Sequence, residues 1–75
     1  MAEFKIDALD EECPAPLLKV QNKWLELDLG DVLIIRITSY CALKKIPEWA
    51  RREGHHVEVE EVEEKVWDIY IEKAV

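Results

Sequence analysis

The sequence predicts an α/β (α+β) two-layer sandwich, in which two helices cover one face of a four-stranded mixed sheet. Two segments repeat apolar residues at helical spacing, and four shorter segments alternate apolar with polar residues or are rich in β-branched ones. These segments follow each other in the order βαβαββ. A strand–helix–strand connection within one sheet makes its two strands parallel. Because 75 residues leave room for one core, we expect residues 1–75 to be a single domain.

The first strand and the first helix follow from their periodicities. In residues 3–8 apolar and charged side chains alternate, as in a half-buried strand. Residues 14–29 carry a helical apolar stripe, and Gly30 with Asp31 is expected to cap and end this helix. The stripe consists of Leu17, Val20, Trp24 and Leu27, and Leu18 and Leu25 widen it.

The remaining elements are placed by β-branched runs and by one proline. Residues 32–38 read as a strand buried on much of both faces. Because proline is tolerated in the first turn of a helix, Pro47 predicts a second helix that begins near Lys45, after an irregular entry at residues 39–44. Residues 56–62 and 66–72 form two further strands, joined by a turn at residues 63–65. The wetter sheet face is expected to carry Glu58, Glu60, Asp68 and Tyr70.

Composition narrows the classes of partner. Seventeen acidic against ten basic residues give a net charge of −7, so direct binding to nucleic acid or to anionic lipid is not expected. The same charge favours partners with a basic docking surface. No apolar run is long enough to span a membrane, and the N-terminal residues do not resemble a secretion signal. We therefore expect a cytoplasmic protein, in which a structural disulfide is uncommon, and we expect no cofactor.

The predicted topology brings both cysteines to one edge of the sheet. Cys13 follows the first strand, and Cys41 follows the second. Parallel strands end at a common carboxyl edge, where open α/β sheets usually bind ligands. The topology places the two thiols in one region, but it does not establish bonding distance.

The residues around Cys13 favour a reactive thiolate. Pro14 suits the first helical position, which would make Cys13 the N-cap residue beside free amides and the positive end of the helix dipole. Thiolate is the nucleophilic form of cysteine. The acidic residues at positions 10–12 act in the opposite direction, and Pro16 is expected to present an apolar rim.

Other interpretations of the cysteines remain open. Cys13 could equally be a small buried apolar residue, and for Cys41 that packing role is favoured. A metal site built from Cys13, Cys41, His55 and His56 is disfavoured, because closely spaced ligand pairs are missing. His55 and His56 are expected at the surface, where the third strand begins.

The whole chain resembles the TusA/SirA family of small sulfur carriers. The resemblance rests on IDALDEECPAPLLKV, GDVLIIRIT and KKIPEWARREGH, and its signature is the Cys-Pro-x-Pro element at Cys13, Pro14 and Pro16. The position three residues before the motif cysteine is often glycine in the family and is Asp10 here. The loop after the second strand often holds Asp-Pro and here holds Ser39-Tyr40. These features make the YeeD-like (TsuB) branch the nearer match.

The resemblance implies a βαβαββ sandwich and a sulfurtransferase that works through a persulfide on Cys13. The donor would be thiosulfate or a partner's persulfide, and the acceptor would be a thiol. The branch further implies thiosulfate uptake and use alongside a YeeE-like membrane transporter. It assigns no role to Cys41, a second thiol that could resolve the persulfide as a disulfide or merely pack.

Lys19 and Lys44 are the nearest basic residues to the cysteines by topology and are candidates for anion binding.

Two rival functions remain open. One rival is a non-catalytic docking module for a transporter or a sulfur-relay enzyme. The other is a dithiol redox protein that uses Cys13 and Cys41, which requires a Cα separation within disulfide range.

Overall fold

The structure is a computed structural model that describes residues 2–75, and it confirms the predicted order of elements. Two helices and four strands follow the order βαβαββ. They are β1 (Glu3–Ala8), α1 (Ala15–Trp24), β2 (Val32–Ile37), α2 (Tyr40–Arg52), β3 (His56–Glu63) and β4 (Val66–Glu72).

The four strands form one mixed sheet with the spatial order β1-β2-β4-β3. β1 runs parallel to β2, whereas β4 runs antiparallel to both β2 and β3. The terminal hairpin therefore inserts β4 beside β2 and leaves β1 and β3 at the two edges. The predicted parallel pairing of the first two strands is confirmed.

The core lies between the sheet and the two helices. Alternate positions of β2 and β4 point into it, and the apolar stripes of α1 and α2 close over them. Each completely buried isoleucine contributes about 1.5–3 kcal/mol relative to an exposed one. The residues without exposed surface include Val20, Leu33, Ile35, Ile37, Ile46, Ile69 and Ile71.

Helix α1 is shorter than predicted, because it ends at Trp24. The next residues form tight turns, in which the N–H groups of Glu26 and Leu27 donate to carbonyls three residues back. The buried carboxylate of Asp31 then accepts a hydrogen bond from Asp28 N–H at 2.9 Å and orders the loop. Gly30 has a φ of 91° in this loop, so it makes the turn into β2 and does not cap the helix.

Two leucines assigned to the α1 stripe are not in the core. Leu18 is half exposed, and Leu25, which lies beyond the helix end, is 88% exposed. Leu27 is nevertheless buried as expected, because the turns after Trp24 bring it back against the sheet.

Helix α2 begins five residues earlier than predicted, at Tyr40. Ser39 is its N-cap, and the Ser39 hydroxyl accepts a hydrogen bond from Ala42 N–H at 3.3 Å. Pro47 consequently lies inside the helix and is buried. Burial of Ala42, Ile46 and Ala50 on one helix face outweighs the missing hydrogen bond of an interior proline.

The open face of the sheet carries the polar residues that were expected there, with one correction. Asp68 is buried and not wet, because it pairs with Arg36 on the neighbouring strand through bonds of 2.8 and 3.0 Å. This bidentate pair raises the pKa of Arg36. Tyr70 lies next to it and donates to Glu60 at 3.3 Å.

The hairpin turn between β3 and β4 contains no glycine, and Lys65 adopts a positive φ of 60° in it.

In residues 2–75 the structure contains no helix that is both long and apolar enough to cross a membrane.

Candidate functional site

The loops that follow β1 and β2 leave the sheet side by side, as the topology predicted. The last residues of the two strands, Ala8 and Ile37, are register partners. Beyond them, Asp10 N–H donates to the Thr38 hydroxyl at 2.8 Å and ties one loop to the other. The segments that carry Cys13 and Cys41 are thereby held together at the carboxyl edge of the sheet.

Cys13 and Cys41 are joined by a disulfide, with their Cα atoms 6.0 Å apart. This separation lies within the usual range for disulfides. The topology had left the separation of the two residues open, and the expected cytoplasmic location had disfavoured a disulfide. The structure thus brings together two residues that are 28 positions apart in sequence.

The two sulfur-bearing residues differ in their exposure. Cys13 is half-buried and packs against the core, whereas Cys41 is exposed. The favoured packing role of Cys41 is therefore wrong. Its side chain is accessible because it lies at the second position of α2, and the core-facing position of this turn is taken by Ala42.

The start of α1 differs from the predicted arrangement by one residue. Pro14 occupies the N-cap position, and Cys13 precedes it through a cis peptide bond. Pro16 is completely buried and does not form an apolar rim. Pro14 and Pro16 have no N–H, and Ala15 N–H donates to the Glu12 carbonyl, so the first turn of α1 has few free amides.

The start of α2 supplies the free amides that α1 lacks. Its N-cap Ser39 receives the N–H groups of Ala42 and Leu43 on its hydroxyl and carbonyl oxygens. Within residues 2–75, the N–H groups of Tyr40 and Cys41 have no hydrogen-bond partner. Cys41 therefore lies in the first turn of α2, at the positive end of the helix dipole, a place that favours a thiolate or a bound anion.

The two basic residues proposed for anion binding have different surroundings. Lys19 forms an ion pair with Glu11 and also donates to the Asp7 carbonyl at 3.4 Å. Its charge is therefore largely compensated. Lys44 is exposed on α2, one turn after Cys41, and no ion pair engages it in the described part of the chain.

The histidines do not join the cysteines, and no cluster of possible metal ligands forms in residues 2–75. His55 was expected at the surface but is buried, with its ring centroid 4.7 Å from that of Trp24. Its Nδ1 accepts a hydrogen bond from Ala74 N–H at 3.2 Å. Burial lowers the pKa of His55. His56 is exposed, as predicted.

Sequence reasoning missed two residues that shape the site. Ser39 orients the start of α2, and its side-chain type, directly before the helix, was a usable capping signal. Tyr40 is 65% exposed, and its ring lies 5.1 Å from that of Trp67. No pattern in the sequence indicates this aromatic contact, because it joins positions far apart in the chain.

The arrangement can perform sulfur chemistry at a single place. A half-buried and an exposed cysteine are bonded to each other at the start of α2, where two amides are free, and Lys44 follows one turn later on the same helix. A thiolate formed here can attack a sulfane sulfur, and the second sulfur can exchange with the product.

Comparison with known proteins gives consistent matches. Residues 4–73 match the family described as Sulfurtransferase TusA. The chain is 32% identical over 71 residues to TsuB, a candidate sulfur carrier protein of Escherichia coli strain K12. The aligned region covers 93% of this chain and 95% of TsuB. A candidate sulfur carrier protein of Archaeoglobus fulgidus is 35% identical over 69 residues, and the aligned region covers 91% of this chain and 78% of that protein. A SirA-like protein of Desulfitobacterium hafniense has the same fold, with a TM-score of 0.85 over the full length of both chains at 24% identity.

Proposed function

Because this chain belongs to the TusA family of sulfur carriers, we propose that it accepts sulfane sulfur on Cys13 as a persulfide and passes it to an acceptor thiol. The observation that supports this most directly is the position of Cys13. It is half-buried at the carboxyl edge of the sheet, one residue before the N-cap of α1, and its bond to Cys41 places it at the start of α2. In this proposal the domain is a sulfurtransferase that acts by covalent catalysis.

Loading of Cys13 is a displacement at sulfur. The Cys13 thiolate attacks the sulfane sulfur of thiosulfate, a new S–S bond forms, and the old S–S bond breaks. The bonding pair leaves with sulfite, and Cys13 holds the persulfide. With a partner's persulfide as donor, the leaving group is the partner's thiolate. An acceptor thiolate then attacks the terminal sulfur and restores the Cys13 thiolate.

The anionic donor needs positive charge beside Cys13. The N–H groups of Tyr40 and Cys41 at the start of α2 supply it, because they are without partners in residues 2–75. Lys44 adds a full charge on the same helix. Lys19 contributes less, because Glu11 pairs with it. The free amides that the sequence predicted at the start of α1 are therefore offered by α2 instead.

We place this activity in thiosulfate uptake and use, on the cytoplasmic side of a membrane. A partner sulfurtransferase or an acceptor thiol would exchange sulfur with Cys13, and a YeeE-like transporter would supply thiosulfate. The net charge of −7 favours a basic docking surface on such partners and disfavours nucleic acid. The similarity to TsuB supports this placement.

Two rival functions make different predictions. A docking module would bind its partner equally well without Cys13 and would transfer no sulfur. A dithiol redox protein would cycle between two thiols and a disulfide, and the 6.0 Å separation of the Cα atoms favours this rival.

Intact-mass measurement of two variants tests the carrier function against both rivals. The reduced protein is incubated with thiosulfate or with a low-molecular-weight persulfide, and its mass is recorded before and after reductant. We expect Cys41→Ser to gain one reducible sulfur atom and Cys13→Ser to gain none. Absence of a gain in Cys41→Ser with every donor would overturn the proposal.

A further inference from the structure

Cys41 is the residue whose position the carrier function does not explain. Storage of sulfur on Cys13 needs one cysteine, yet the structure binds a second one to it. The Thr38–Asp10 hydrogen bond holds the two loops together, and the Ser39 cap fixes the first turn of α2. Cys41 is exposed, so burial of an apolar side chain does not account for its place.

We propose that Cys41 is a second catalytic residue, which resolves the Cys13 persulfide and releases its sulfur as hydrosulfide. This proposal rests on the proposed function, because it needs the persulfide as its starting point. It makes the domain a thiol-dependent reductase of sulfane sulfur whenever no acceptor thiol is bound.

The step balances without an external oxidant. The Cys41 thiolate attacks the Cys13 sulfur that is bonded to carbon, and a Cys13–Cys41 disulfide forms. The bond between the two persulfide sulfurs breaks, and its electron pair leaves with the terminal sulfur as hydrosulfide. The sulfane sulfur is reduced by two electrons, and the two cysteine sulfurs are oxidised by the same number. The product is the bonded pair that the structure contains.

Geometry favours this step over attack by a thiol from solution. Groups held at bonding distance react as if at a very high local concentration. Cys41 lies in the first turn of α2, where the helix dipole and the unpartnered N–H groups favour the thiolate form of the attacking residue. On the wild-type protein the terminal sulfur of the persulfide therefore leaves as hydrosulfide, unless an acceptor thiol takes it before Cys41 attacks.

The difference in exposure determines how the disulfide is reset. Cys41 is exposed and Cys13 is half-buried. A dithiol reductant from solution therefore attacks the sulfur of Cys41 and forms a mixed disulfide with it. The electron pair of the broken bond goes to Cys13, which leaves as the thiolate that is needed for the next loading. The reductant's second thiol then frees Cys41, and the reductant is oxidised to its own disulfide.

The test compares the reduced wild-type chain with Cys41→Ser in a single turnover. Both proteins are freed of reductant and mixed with thiosulfate, and hydrosulfide is trapped and measured while intact masses are recorded. We expect wild type to release hydrosulfide and to end two hydrogen atoms lighter. We expect Cys41→Ser to retain one added sulfur and to release hydrosulfide at least about tenfold more slowly. Arg52→Ser, an exposed change on the same helix, should behave as wild type.

The outcomes separate this inference from the proposed function. If Cys41→Ser and Cys41→Ala both fail to gain sulfur from thiosulfate and from a small persulfide, the carrier function itself fails. If they load, but wild type also keeps its added sulfur and releases hydrosulfide no faster, the carrier function stands and the role of Cys41 is refuted. Addition of a dithiol to the wild-type protein should give repeated turnover. A single turnover in the presence of the dithiol would contradict the reset step.

Discussion

Asp10 shows at the residue scale how one backbone conformation supports the site. Its φ of 62° lies in the left-handed region that favours glycine. Aspartate tolerates this region better than most residues. With this conformation, Asp10 N–H reaches the Thr38 hydroxyl and joins the loops of the two cysteines.

Substitution of Asp10 tests this account. Asp10→Gly should leave the free energy of unfolding unchanged or raise it by up to about 1 kcal/mol, because glycine adopts this φ without strain. Asp10→Val should lower it by about 1–2 kcal/mol, since a β-branched residue is disfavoured there. Chemical denaturation of the two variants measures both effects. Equal stability of Asp10→Gly and Asp10→Val would show that the conformation imposes no constraint.

At the scale of the element, α2 determines the chemistry of Cys41. The helix begins at Tyr40 because the hydroxyl of Ser39 receives Ala42 N–H, and because a buried face extends from Ala42 to Ala50. If α2 began near Lys45, as Pro47 suggested, Cys41 would lie in a loop without the helix dipole. Capping and burial together outweigh the preference of proline for the first turn.

Removal of the cap should weaken α2 measurably. Ser39→Ala should lower the free energy of unfolding by about 1 kcal/mol, because Ala42 N–H loses its acceptor in a buried place. Ser39→Thr retains a hydroxyl and should lose less. Urea denaturation, followed by circular dichroism, provides the comparison. A loss in Ser39→Thr as large as that in Ser39→Ala would argue against a capping role.

At the scale of the whole molecule, His55 joins parts of the chain that are distant in sequence. Its ring packs on Trp24 at the end of α1, and its backbone N–H donates to Ala50 in α2. Its Nδ1 accepts from Ala74 after β4. A protonated ring cannot accept that bond. Burial of the ring lowers the pKa of His55, the negative charge of Glu53 opposes this shift, and the positive charge of Lys73 adds to it.

The stability of the protein should consequently depend on pH. Because the pKa of His55 is lower in the folded state, the unfolded state binds its proton first. The free energy of unfolding should fall as pH drops below about 6.5, the ordinary value for histidine. Thermal unfolding at a series of pH values measures this. His55→Phe should flatten the dependence, whereas the exposed His56→Gln should leave it in place. If the stability of His55→Phe depended on pH as steeply as that of the wild-type protein, His55 would not be the group responsible.

The order of the elements could be predicted from the sequence because apolar periodicity is a local property. The parallel pairing of β1 and β2 and the shared edge of the two cysteine loops followed from that order. The boundaries of α1 and α2 could not be predicted in this way. They depend on the Asp31 carboxylate and the Ser39 hydroxyl, whose contacts compete with propensity and with Pro47.

By itself the sequence determined the sandwich, its strand order along the chain and the Cys13-Pro14-x-Pro16 element. Only the tertiary structure decided that Cys41 is exposed and bonded to Cys13, that α2 and not α1 offers free amides, and that His55 is buried. The physical reason is the same in each case. Periodicity reports which face a residue prefers, whereas the distance between two side chains is set by how whole elements pack.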